Sequence, residues 1–180
     1  MKIYIGESKT HGKGIFAKGD IKKGEIVFII KGKKVHFLID SEESAKVAGF
    51  NWIGVGKNEW IDPVKYALYF NHSCNPNSAV KGKVTVVALC NIKKGEEVTF
   101  DYSFDEADIF WNIKCNCGSK NCRKIIKSVQ FLPKKTFNHS IQHMPKYFRR
   151  VFKKFNITNF ENLKELRVAW LNFIKRSYNV

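Results

Sequence analysis

Asn71-His72-Ser73-Cys74-Asn75-Pro76-Asn77 is the stretch on which the reading of this chain turns. It holds a cysteine with no neighbour in sequence and an Asn-His pair. A proline stiffens it, so it reads as a constrained loop rather than a helix. The apolar segment Tyr66-Ala67-Leu68-Tyr69-Phe70 delivers the chain to it. Farther on, Cys115-Asn116-Cys117-Gly118 and Cys122-Arg123 place three cysteines at metal-ligand spacing and lack a fourth. Between the two lies Gly95-Glu96-Glu97-Val98-Thr99-Phe100-Asp101-Tyr102. Joined in space, the three fragments would complete a metal site and gather Asn71, His72 and Tyr102 into one pocket.

The cysteine spacing carries its own chemistry. Cys115-x-Cys117 is too tight for a relaxed disulfide, and Cys115-x-Cys117-x4-Cys122 suits a tetrahedral zinc that needs four thiolate or imidazole ligands. His139 and His143 are candidates for the fourth by proximity, and Cys74 is the softer ligand. The fifth cysteine, Cys90, ends the apolar run Val84–Leu89 and reads as a buried thiol.

At 180 residues the chain can bury one main core with an appendage. Its longest apolar runs fall far short of the roughly 18 residues of a membrane span, and Met1–Glu7 lacks a signal-peptide layout. The expectation is a soluble intracellular protein with no membrane partner. Charge is uneven: residues 1–112 hold 16 Lys+Arg and 14 Asp+Glu, whereas residues 113–180 hold 16 and 2. That bias suggests an acidic partner for the C-terminal part, with nucleic acid the first candidate and a solvated basic face the alternative.

The first 100 residues read as short strands: Lys2–Ile5, Glu25–Ile30, Val84–Leu89 and Glu97–Phe100 are rich in β-branched and aromatic residues. Ile21-Lys22-Lys23-Gly24-Glu25 recurs as Ile92-Lys93-Lys94-Gly95-Glu96, which suggests two similar turn units. A short helix is expected over Ser41–Ala48, capped by Ser41 or Asp40. Two basic amphipathic helices follow, one over Tyr147–Phe155 after Pro145 and one over Asn159–Ile174, the latter with a capping box from Thr158 to Glu161. They are expected to dock on the β core through their aromatics and present Lys/Arg outward.

With His11-Gly12-Lys13-Gly14-Ile15-Phe16 added, the set resembles the SET-domain protein lysine methyltransferases with a post-SET zinc segment. Gly12-Lys13-Gly14 matches the Gly-x-Gly element, and residues 71–77 match the Asn-His-Ser-Cys-x-Pro-Asn motif in full. Residues 95–102 match Gly-Glu-Glu-Leu-Thr-x-Asp-Tyr with Val98 for Leu, and Cys115 to Arg123 matches the post-SET motif. The resemblance covers roughly residues 3–127. It implies a mainly β fold of small twisted sheets around a pseudoknot, with a C-terminal α-helical appendage. Residues 1–112 would be the SET domain with an insert at 36–65, residues 113–128 the zinc segment, and residues 129–180 a basic helical extension.

The resemblance also implies the roles. Lys13, Gly14, Ile15, Asn71, His72 and Tyr102 would hold S-adenosylmethionine, Tyr102 would be catalytic, and Cys74 would join Cys115, Cys117 and Cys122 on zinc. Phe100, two residues before the tyrosine, would leave room for di- or trimethylation. Only a neutral lysine can attack, and with a free pKa near 10.4 its neutralisation at pH about 7.4 costs about 4 kcal/mol, which a dry channel beside a sulfonium reduces. Many relatives carry a Glu-Tyr-x-Gly-Glu stretch; here it reads Ile29-Ile30-Lys31-Gly32-Lys33, with Ile30 at the tyrosine and Tyr66 or Tyr69 as substitutes. The post-SET Cys-Arg-Gly reads Cys122-Arg123-Lys124.

The substrate peptide is expected to lie extended between the residue 40–65 insert and the zinc lobe, with Trp52 and Trp60 as candidate walls. A histone tail or another basic chromatin protein is the leading substrate, with a nuclear, chromatin-associated or cytoplasmic setting that includes delivery into a host cell. The alternatives are a methyltransferase of ribosomal or other non-histone proteins, and a SET-like module that binds nucleic acid through its basic tail.

Overall fold

The computed structural model describes residues 2–49 and 51–176. The hairpin of β1 (Ile3–Glu7) and β2 (Lys13–Ala17) sets Ile3 opposite Ala17 and Ile5 opposite Ile15. Alternation along these strands turns Ile3, Ile15 and Ala17 into the core. β3 (Ile26–Ile29), β8 (Ser78–Lys81) and β9 (Thr85–Ala88) form an antiparallel sheet in the order β3-β9-β8. β4 (Gly32–His36), β5 (Ile53–Gly56) and β6 (Glu59–Pro63) form a second, in the order β4-β6-β5. Two-residue strands β7 (Asn71–His72) and β10 (Thr99–Phe100) pair in parallel, and β11 (Asn112–Lys114) pairs antiparallel with β12 (Ile125–Lys127). The expected fold of small sheets with a helical C-terminal part is therefore what the chain adopts.

The repeated turn is a structural unit. Ile21 and Ile92 exchange backbone hydrogen bonds in both directions, at 2.8 and 2.9 Å. Asp20 Oδ1 accepts from Lys94 N, and Asn91 Oδ1, at the equivalent place in the second copy, accepts from Lys23 N. Gly24 and Gly95 hold matching positive φ of 86° and 83°, a conformation that disfavours a side chain. The two copies pair with each other about a local two-fold relation, which explains why the same five residues occur twice.

Helix α1 (Glu42–Val47) starts at Ser41, whose side chain accepts from Ser44 N, so Ser41 rather than Asp40 is the cap. Helices α2 (Lys134–Ser140), α3 (Lys146–Phe155) and α4 (Leu163–Lys175) make the appendage. α4 begins later than its apolar spacing suggests: Asn162 is the cap, accepting from Glu165 N, and Thr158 lies in a separate 3-10 turn over Ile157–Asn159. Asn156 consumes Thr158 by accepting from both its N–H and its hydroxyl. Cys90 is exposed, a correction to the buried thiol, because the strand that precedes it ends at Ala88.

Two large apolar cores result among the described residues, beside a small cluster of Cys74, Cys115 and Ile126. One fills the space between the N-terminal hairpin, the β3-β9-β8 sheet and Phe70 and Phe100. The other is built by Phe148, Val151, Phe152 and Phe155 of α3 with Leu166, Trp170 and Ile174 of α4, packed onto Phe104, Ala107 and Ile109. The helices' aromatics do not join the β core as expected: they form a core of their own, which roofs the segment that follows Tyr102. No described helix is long and apolar enough to cross a membrane.

Candidate active site

The parallel pair β7–β10 brings the two central motifs together, extended by Ser73 N donating to Phe100 O. Beside it opens a cavity of about 300 Å3. Asn71, His72, Phe100 and Tyr102 line it, with Trp52 and Ile53 of the β4-β6-β5 region on one side and Trp111, Ile113 and Ile126 of the β11–β12 lobe on the other. The Tyr102 hydroxyl donates to Phe70 O at 2.6 Å, and burial, with Asp105 and Glu97 nearby, pushes its ionisation far above the usual tyrosine range. It is a neutral, oriented phenol at any physiological pH.

Asn71 ties the first glycine element to this cavity. Its side-chain amide donates to Lys13 O at 3.1 Å and to Glu97 Oε1 at 2.6 Å. Glu97 also accepts from the Ser8 hydroxyl across the hairpin. A Cβ on Gly14 would collide with the Glu97 carboxylate and displace it from Asn71. Ile15 is fully buried, and its carbonyl accepts from Val98 N, so only its main chain is near the site. Lys13, Gly14 and Ile15 do not line the cavity and are linked to it through the Asn71–Lys13 hydrogen bond, while His11 is part of its lining. Glu97, the second acid of the Gly95–Tyr102 motif, thus links Asn71 to Ser8.

The four expected cysteines converge. Cys74 Sγ lies 3.9 Å from Cys115 Sγ, Cys122 Sγ lies 3.7 Å from Cys115 Sγ, and Cys74 N donates to Cys117 Sγ. A tetrahedral zinc with bonds of about 2.3 Å places its sulfurs about 3.8 Å apart, so the donor set fits that metal. Burial raises the Cys74 and Cys115 thiols, whereas hydrogen bonds from Cys74 N and Ser119 outweigh burial at Cys117 and bring it to about 6. His139 and His143 lie on the α2 side of the appendage, outside this cluster.

His72 sits in the same cluster, its Nε2 3.2 Å from Cys74 Sγ. Its tautomer decides its part. Tyr102 N donates to His72 Nδ1 at 3.2 Å, so that nitrogen carries no proton. Burial lowers the ring to about 4 against the opposing pull of Asp101, so the ring is neutral and its proton is on Nε2. That N–H donates to Cys74 Sγ. His72 is therefore placed to orient and stabilise a thiolate, as outer-shell partners of metal ligands do; the donor atoms that lie within 4.8 Å of one another are those of His72, Cys74, Cys115 and Cys117, and Cys122 reaches this group through Cys115.

The lobe is also fastened by charge. Arg123 Nη2 lies 2.6 Å from Asp101 Oδ1, next to the tyrosine, and Arg123 N donates to Cys74 Sγ. Asp101 is 1% exposed. Ile30 is buried in the first core and does not border the cavity, nor do Tyr66 and Tyr69, which pack against that core. Tyr102 is the one tyrosine lining the cavity among the described residues.

A model of the SET domain matches residues 12–103. The chain belongs to the SET domain family. Among curated SET relatives, the variant-silencing SET domain-containing protein of Plasmodium falciparum is 29% identical over 98% of this chain. Human histone-lysine N-methyltransferase 2B is 33% identical over 69% of it. The chain spans 8% and 5% of those two proteins' lengths. KRYPTONITE, solved in complex with mCHH DNA, an H3(1-15) peptide and SAH, superposes with a TM-score of 0.54 at 22% identity, covering 68% of this chain and 29% of that one, a likeness of fold.

Proposed function

We propose that this SET domain is an S-adenosylmethionine-dependent protein-lysine N-methyltransferase, with residues 1–112 as the catalytic part, 113–128 as a zinc lobe and 129–180 as a basic extension. The observation that carries the reading is the meeting of Asn71, His72 and Tyr102, from segments about thirty residues apart, on one cavity beside a four-cysteine cluster. The name of the human relative, histone-lysine N-methyltransferase 2B, supports lysine as the acceptor. A histone tail or other basic chromatin protein is the substrate class we favour, with the Lys/Arg-rich residues 113–180 available to hold nucleic acid nearby.

Bound S-adenosylmethionine would supply an electrophilic methyl group on a sulfonium. The chain's own work is positional. Asn71 and the backbone of Lys13 to Ile15 would hold the cofactor, and Tyr102 would present a fixed hydroxyl dipole at the reacting end. Aromatic walls from Phe70, Phe100 and Trp111 exclude water and so favour the neutral amine of an entering lysine. Zinc on Cys74, Cys115, Cys117 and Cys122 would fasten the lobe that covers this channel.

Phe100 carries no hydroxyl, so the channel can accept a larger, already methylated amine, and we infer di- and trimethylated products. Incubation with S-adenosylmethionine and core histones, followed by peptide mass spectrometry, tests both points. Mass gains of 28 and 42 Da on lysine support them, and Phe100→Tyr should shift products toward 14 Da. Purely monomethylated lysine in the wild type would refute the multiplicity.

A further inference from the structure

A second cavity of about 240 Å3 adjoins the first, sharing Trp52, Glu106, Trp111 and Ile113 with it. Its walls add Trp60 and Asp108. Three carboxylates thus occur within four residues, Asp105, Glu106 and Asp108, and all are more than nine-tenths buried. Among the described residues none of them forms an ion pair. Asp105, which borders the first cavity, has a buried Oδ2 with no partner at all. Glu106 Oε1 accepts from Asp108 N, and Asp108 Oδ1 from Phe110 N, so these backbone bonds fix where the carboxylates stand without neutralising them. Lys46, exposed on α1, borders the second cavity but pairs with neither acid.

Burying uncompensated carboxylates is costly, and this chain has 32 Lys+Arg from which to draw a counter-charge. None of them pairs with these acids, Lys46 at the cavity border included. The three tryptophans around the same space offer flat faces to a cation. Arg167 of α4 lies over Phe110 and pairs with Glu42 instead.

We propose that the second cavity is a subsite for an arginine side chain of the substrate, flanking the lysine that enters the first. Glu106 and Asp108 receive the guanidinium, whose planar fork matches carboxylate geometry, and Trp52, Trp60 and Trp111 enclose it. The inference rests on the methyltransferase reading for the place of the lysine, but the subsite itself is a binding claim. Its consequence is selectivity for lysines that have an arginine at one fixed distance in sequence.

Binding is measured with the full chain, zinc-loaded, by tryptophan fluorescence. The probes are alanine-based peptides with one central lysine and one arginine scanned through the four positions on either side, each beside glutamine and citrulline counterparts. Arginine at one position should bind on the order of tenfold more tightly than citrulline, which keeps the shape and lacks the charge. In Glu106→Gln/Asp108→Asn, which retains both backbone acceptors, that ratio should fall to within about twofold of one. Equal affinity for arginine and citrulline peptides at every position in the wild type overturns the subsite without any variant. An arginine preference that persists in the double variant overturns the assignment to these acids. Labelled methyl transfer on the same peptides separates the two readings: arginine-dependent binding with no transfer sinks the enzyme and leaves the subsite standing.

Discussion

Replacing Arg123 by methionine removes the one cation that, among the described residues, lies within ion-pair distance of Asp101, since the nearby His72 ring is neutral. Asp101 would keep one neutral donor, Ser103 N at 3.0 Å, inside a site that is 1% exposed. Breaking a buried pair by removing one partner costs about 3–5 kcal/mol. The lower end applies, because Asp101 Oδ2 and Arg123 Nε and Nη1 are already buried without partners, so the intact pair is imperfectly satisfied. With a urea slope of about 1–3 kcal/mol per molar, a loss of about 3 kcal/mol lowers the midpoint by about 1 M or more. Unfolding is followed in excess zinc, so that metal linkage is constant. Asp101→Asn removes the stranded charge, so the double variant should be more stable than Arg123→Met alone, with a coupling of about 1–3 kcal/mol. A midpoint within about 0.3 M of wild type for Arg123→Met, or strict additivity in the double variant, would refute the claim that this pair fastens the lobe.

Cys74→Ser should weaken zinc binding by more than the roughly 10–100-fold that loss of an outer-shell partner costs; unchanged affinity in a competitive chelator titration would remove Cys74 from the ligand set. Asp108 gives a pH signature. Burial raises its carboxyl to about 6 from 3.8, so its contribution to stability is most favourable below pH 3.8 and is lost as pH rises through 6. Asp108→Asn should therefore gain on the order of 1–3 kcal/mol relative to wild type at pH 8 and less at pH 5. Equal gains at the two pH values would contradict the burial. The Phe100→Tyr shift toward monomethylation, read by mass spectrometry, completes the set.

Much of this was legible in the chain because motif chemistry is local. Three cysteines at 115, 117 and 122 announce a missing ligand, and Cys74 is the soft donor with no other employment. The repeated Ile-Lys-Lys-Gly-Glu turn was visible, but its reciprocal pairing through Asp20 and Asn91 depends on contacts some seventy residues apart. The α4 start was misplaced because Thr158 and Glu161 satisfy a capping pattern, while Asn156, held by Gln130 O and Leu132 O, draws Thr158 into a different turn. Least legible were the acids after Tyr102. Asp105-Glu106-Ala107-Asp108 reads as a polar surface loop, and only the roof of Phe148, Val129 and Gln130, with Val129 N bonded to Glu106 O, puts it inside.

The most direct test of the central claim is a paired measurement on wild type and Tyr102→Phe: cofactor binding by calorimetry, and transfer of labelled methyl groups to lysine in histones and whole-cell lysate. The account predicts that both proteins bind S-adenosylmethionine, that the wild type labels lysine, and that the variant loses on the order of a hundredfold or more of that transfer. Wild-type protein that binds the cofactor and labels no protein, or a variant that transfers methyl groups as fast as wild type, would contradict it.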